Sequence, residues 1–140
     1  MTCTGNTTLK ENAELNIVRE LKKILTKEEQ RLNSLRINAL NITPVIDGLP
    51  HAKTAQSKVE RNALRIIESE QEVETLRAEL IQAKSALADK IMSQVDEPNY
   101  QTLLVLRYVE CLSFREIARR MHFVLRNLFN LHDAALENFS

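Results

Sequence analysis

The stretch that decides the fold is Leu103–Phe139, LLVLRYVECLSFREIARRMHFVLRNLFNLHDAALENF. Its apolar residues Ile117, Ala118, Met121, Leu128, Leu131, Ala135 and Leu136 fall at spacings that let three short helices share one small core. Helices are expected over 97–110, 113–121 and 124–139. Ser113 and Glu116 have capping-box spacing, so they open the middle helix. Upstream, Asp96 is the expected cap of the first helix, and Pro98 sits in its first turn, where no N–H is missed.

Working towards the N-terminus, the pattern changes from short helices to long ones. The apolar stripe Val59, Ala63, Ile66, Val73, Leu76, Leu80, Ala83, Leu87, Ile91 and Val95 marks one long amphipathic helix. Ser57 with Glu60 is the expected capping box at its start. Before it, TPVIDGLPHAKTAQ holds two prolines and an Asp-Gly turn signal, and predicts a loop over 43–56. An earlier stripe, Val18, Leu21, Leu25, Leu32, Leu35, Ala39 and Ile42, keeps a heptad rhythm interrupted only by Glu28. Thr8 with Glu11 is the expected start of that helix, after a flexible tail over 1–7.

The chain is therefore expected to be all-α. A long antiparallel helical hairpin over 8–95 precedes a three-helix helix-turn-helix module over 96–140. Two rods bury only one seam between them, which predicts a homodimer through Leu21, Leu25, Leu32, Leu35, Leu76 and Leu80. The alternative is a hairpin folded back on the C-terminal module.

Composition agrees. Two glycines and three prolines in 140 residues leave little turn punctuation for a sheet. Apolar residues make up 44%, and their periodicity excludes full disorder. Net formal charge is zero, which weighs mildly against an obligate nucleic-acid binder. Cys3 and Cys111 lie far apart and read as free thiols of a reducing compartment. The opening residues lack a basic start followed by an apolar run, and no long apolar span follows. Neither a signal peptide nor a membrane association is expected, and the cytoplasm is the expected location.

Arg107, Tyr108, Ser113, Glu116, Ile117, Ala118, Met121, Leu131, His132, Ala135 and Leu136 carry a family likeness. With the spacing between them, the tail resembles region four of bacterial sigma factors. It resembles even more the sigma-like tails of small phage and prophage proteins of Gram-positive bacteria, some of them late-gene transcription regulators. The DGLP and SKVE stretches, from about residue 46 on, are similar to that family's loop and second-helix start. The resemblance implies a phage-type transcription regulator with double-stranded DNA or RNA polymerase as partner.

The outward side of the last helix would carry that function. With Leu128, Leu131 and Ala135 inward, the outward positions are Leu125, Arg126, Phe129, Asn130 and Asp133. Arg126 and Asn130 suit base reading, because arginine and asparagine offer bidentate hydrogen bonds to guanine and adenine. Arg115 and Arg119 on the preceding helix suit phosphate contact. Leu125 and Phe129 are one turn apart and predict an apolar knob, while Asp133 would repel phosphate. From 96 to 140 five arginines stand against six acids, a net −1. The knob gives a second function class. In it the tail is a protein-interaction module that binds RNA polymerase, a second copy or a host defence protein.

The turns also depart from the family pattern. Cys111 stands where glycine is usual, the Met121–Val124 turn lacks glycine, and Val124 replaces a serine cap. A non-glycine residue in the left-handed region costs roughly 1 kcal/mol or more, though histidine tolerates it better than most. Cys111 is expected as a small core residue and His132 as a packed structural histidine. His51, His122 and His132 share no metal spacing with each other or with cysteine, and no glycine-rich phosphate loop exists. No enzymatic activity and no cofactor are expected.

Overall fold

A computed structural model of the chain describes residues 13–41 and 52–139, with side chains except at 41 and 52–57. Among the described residues all regular structure is helical and there is no strand. The expected tail over 1–7, the Thr8–Glu11 cap and the Asp-Gly turn lie outside them. A helical turn over 13–15 leads into α1, Ile17–Asn41. α2 follows as Ala52–Gln94, then α3, Pro98–Leu104, a π-helical turn, Val105–Val109, α4, Phe114–Met121, and α5, Leu125–Asn138. No helix among the described residues is long and apolar enough to cross a membrane.

The chain falls into two compact units, Met1–Lys22 with Leu80–Ser140, and Lys23–Glu79. This division runs through both long helices rather than falling at residue 96. In the Lys23–Glu79 unit, Leu32, Val73 and Leu76 are buried. Two ion pairs join the helices there, Arg36 to Glu70 at 2.8 Å and Arg77 to Glu29 at 3.2 Å. As the α1 partner advances the α2 partner retreats, so the two segments run antiparallel. Glu28, which interrupts the heptad, accepts a 3.0 Å hydrogen bond from the Ser69 hydroxyl. Ser69 is buried, and a buried polar group of this kind must be paired to be tolerated.

The start of α2 corrects the expected Ser57–Glu60 box. The helix begins at Ala52, and Ser57 lies inside it. Nothing from Ala52 to Gln56 breaks a helix, so the turn extends back towards the prolines and shortens the loop expected over 43–56. The start of α3 corrects the role given to Asp96. Glu97 holds the N-cap position without a side-chain bond, and Pro98 opens the helix. The junction is closed by Gln101, whose side-chain amide donates to the Val95 carbonyl at 2.5 Å, an otherwise orphan group at the end of α2.

In the other unit, Leu15, Val18, Ile91, Val95, Leu103 and Leu104 are completely buried. An ion pair joins Lys90 to Glu14. The tail's own core is Leu103, Ile117, Ala118 and Leu128, with Phe114, Met121, Phe123, Leu125 and Leu131 packed around it. Each such leucine or isoleucine contributes about 1.5–3 kcal/mol by leaving water. Phe139 closes the C-terminal end of α5 at 2% exposure, under the Lys90 ammonium at 6.0 Å from its ring centroid.

Candidate nucleic-acid interface

α4 is started by Ser113, whose hydroxyl accepts from the Glu116 N–H at 3.3 Å. The return half of the box is absent from the described contacts. The Glu116 carboxylate turns instead to Arg119 at 3.5 Å and Arg120 at 3.4 Å. α4 stops at His122, which adopts φ 60, ψ 39, and its N–H bonds to the Ala118 carbonyl. The Phe123 N–H bonds to the same carbonyl at 2.9 Å. This left-handed cap turns the chain within three residues and sends α5 off on a new axis. Val124 then holds the N-cap position of α5 with no side-chain bond, as its missing oxygen requires.

A ring of contacts holds α5 against the rest of the tail. The π-helical turn carries Arg107 and Tyr108. Arg107 donates to the Leu112 carbonyl at 2.9 Å and lies 4.1 Å from the centroid of the Phe114 ring. It thereby braces the turn at Cys111, which has φ 59. Cys111 is half-buried, with its thiol against the Tyr108 and Val109 carbonyls, so it serves as a left-handed turn residue more than as core. The Tyr108 hydroxyl lies 2.7 Å from His132 Nε2, and the two rings stack. Phe114 meets His132 and Phe129 edge-on, at 5.0 and 5.1 Å between centroids. His132 is thus a packed structural histidine. Burial holds its pKa below the ordinary histidine value, with Asp133 opposing and Arg107 adding to the effect. Burial raises the Tyr108 pKa, against the pull of Arg107 and Arg19.

Beside this packed side, the face of α5 that begins at Phe129 is open. Arg126, Asn130 and Asp133 are exposed, and Phe129 is 44% exposed. At about 100° per residue, positions 126, 129, 130 and 133 fall within roughly a third of the helix circumference. Leu125 does not join them. It is half-buried and packs on the Leu103–Ile117–Leu128 core, so the expected two-residue knob reduces to Phe129. The exposed apolar neighbour is Val124, at 69%. Arg115 and Arg119 are exposed and share a face of α4 at i,i+4 spacing. Among the described residues Arg115 and Arg126 make no ion pair.

Of the other expected interface leucines, Leu32, Leu76 and Leu80 are buried within the single chain, and Leu21, Leu25 and Leu35 are half-buried. The large apolar side chains left exposed among the described residues of the Lys23–Glu79 unit are Ile24, Ile37, Leu40, Val59, Leu64 and Ile67. Reading the sequence missed the Tyr108–His132 bond, the Arg107 brace and the Gln101 closure. The R-Y and L-H dipeptides were visible only as matched positions, because their meeting depends on how α5 docks. No group of three metal-ligating side chains occurs among the described residues. No family model, curated protein or solved structure matches this chain.

Proposed function

We propose that the tail is a helix-turn-helix that binds double-stranded DNA, and that the chain is a phage-type transcription regulator. α4 would cross the phosphate backbone and α5 would enter the major groove. One observation carries the reading. Arg126 and Asn130 are exposed side by side in the first two turns of α5, while the far side of that helix is locked into a core with α4. The first turns of a recognition helix are where side chains meet base edges, and these two residue types read guanine and adenine. Arg115 and Arg119 supply phosphate contacts.

The test is a mobility shift on fragments of the source genome across a salt series. Affinity is expected to fall steeply with salt, because bound phosphates release counterions. Arg126→Ala is expected to cost about 1–3 kcal/mol at one base position. Absence of any shift at low salt overturns the reading.

A second reading is favoured by Val124 at 69% and Phe129 at 44% exposure. In it the tail uses these apolar side chains to hold RNA polymerase or a host protein. Val124→Asp with Phe129→Asp would then abolish partner capture while DNA fragments remain unbound.

In either case a second copy docks on the Lys23–Glu79 unit. The seam leucines are spent inside the chain, so the contact falls to Ile24, Ile37, Leu64 and Ile67. That segment holds nine basic and nine acidic residues by sequence, so two copies do not repel.

A further inference from the structure

Phe129 is an anomaly on a reading surface. It has no hydrogen-bonding group, yet it stands one turn after Arg126 and next to Asn130. It remains 44% exposed although the core lies on the same helix. Its ring is packed on one side. One edge rests on Phe114 at 5.1 Å, and Phe114 is itself covered by the Arg107 guanidinium at 4.1 Å. An exposed aromatic packed against a neighbouring ring, beside two polar readers, is placed to touch something apolar.

In the major groove one base offers such a group. Thymine carries a C5-methyl, while guanine, cytosine and adenine present hydrogen-bond donors and acceptors without one. We infer that Phe129 reads the thymine C5-methyl, so that the α5 face recognises a thymine next to the bases read by Arg126 and Asn130. The inference rests on the DNA-binding reading and gives the exposed ring a role within it. The ring contributes contact by removing methyl and ring surface from water. Its packing against Phe114 reduces the rotamer freedom left to lose on binding.

The experiment uses the full chain and a pool of short random duplexes enriched by rounds of binding at low salt. The enriched duplex is remade with deoxyuridine in place of each thymine in turn, which removes only the methyl. The wild-type protein is expected to lose about fourfold in affinity at one or two positions, the equivalent of about 0.8 kcal/mol for one buried methyl. Phe129→Ala is expected to bind the thymine duplex about as weakly as wild type binds the uracil one, and to show no further loss with uracil. Phe129→Leu is expected to keep the discrimination. Equal binding of wild type to every deoxyuridine duplex overturns this inference and leaves the DNA reading standing. Failure to enrich any duplex overturns both. The deoxyuridine comparison on wild type needs no variant to fold.

Discussion

His132 sits between the rings of Tyr108 and Phe114 and binds the Tyr108 hydroxyl at 2.7 Å. Because burial depresses its pKa, the folded tail binds a proton there less readily than the unfolded chain does. Its stabilising contribution is complete above the ordinary histidine pKa of about 6.5 and is lost as pH falls through the lower, folded value. The denaturation midpoint of the chain is therefore expected to drop as pH falls below about 6.5, with a smaller drop in His132→Gln. Equal slopes in wild type and variant would contradict this assignment. The raised Tyr108 pKa acts with the opposite sign, and its contribution is lost only as pH rises through its folded value. Backbone strain gives a second residue-scale prediction. Cys111 at φ 59 and His122 at φ 60 occupy the region that glycine enters freely. His122→Gly is expected to gain up to about 1 kcal/mol in chemical denaturation, net of the entropy glycine adds to the unfolded chain. Both turns were marked only by the family resemblance, which places glycine at or near each of them.

At the scale of elements, the α2 stripe from Val73 to Val95 was legible because one apolar face repeats without interruption, and it is the buried face. Helix starts were less legible. Ser57 and Asp96 looked like caps, but Ser57 lies inside α2 and Asp96 stands one residue before the N-cap position, which Glu97 holds. The π-helical turn over Val105–Val109 left no periodic signal, since one wider turn shifts the pattern by a single residue. The Glu28 break in the heptad was visible, whereas its partner Ser69 was not, because pairing across two helices depends on register. Ser69→Ala is expected to destabilise the unit by about 1 kcal/mol, since Glu28 loses a donor in a half-buried position. Adding Glu28→Leu to Ser69→Ala is expected to raise the denaturation midpoint above wild type, because the seam becomes continuous. A double variant less stable than Ser69→Ala alone would show that the polar pair is not a gap in the seam.

At the scale of the whole molecule, apolar surface is not distributed as a seam-mediated dimer would require. The leucines expected to face a partner are buried or half-buried in one chain, and a different set of apolar side chains stays exposed. Light scattering is expected to give a dimer, and Ile24→Glu with Ile67→Glu a monomer of unchanged helicity. A wild-type monomer at micromolar concentration would remove the second copy from the account. The exposure of Arg115, Arg119, Arg126, Asn130 and Phe129 was legible in the sequence, whereas the half-burial of Leu125 against the core was not. Helical periodicity assigns a residue to a face. At the edge of that face, the neighbouring helix decides burial. The proposed reading of DNA by the exposed side of α5 is tested most directly by the binding of the full chain to random duplexes over a salt series. A steep loss of affinity with salt, and a further loss in Arg126→Ala, is the result predicted. No binding at the lowest salt, by a chain whose helicity is intact, would contradict it.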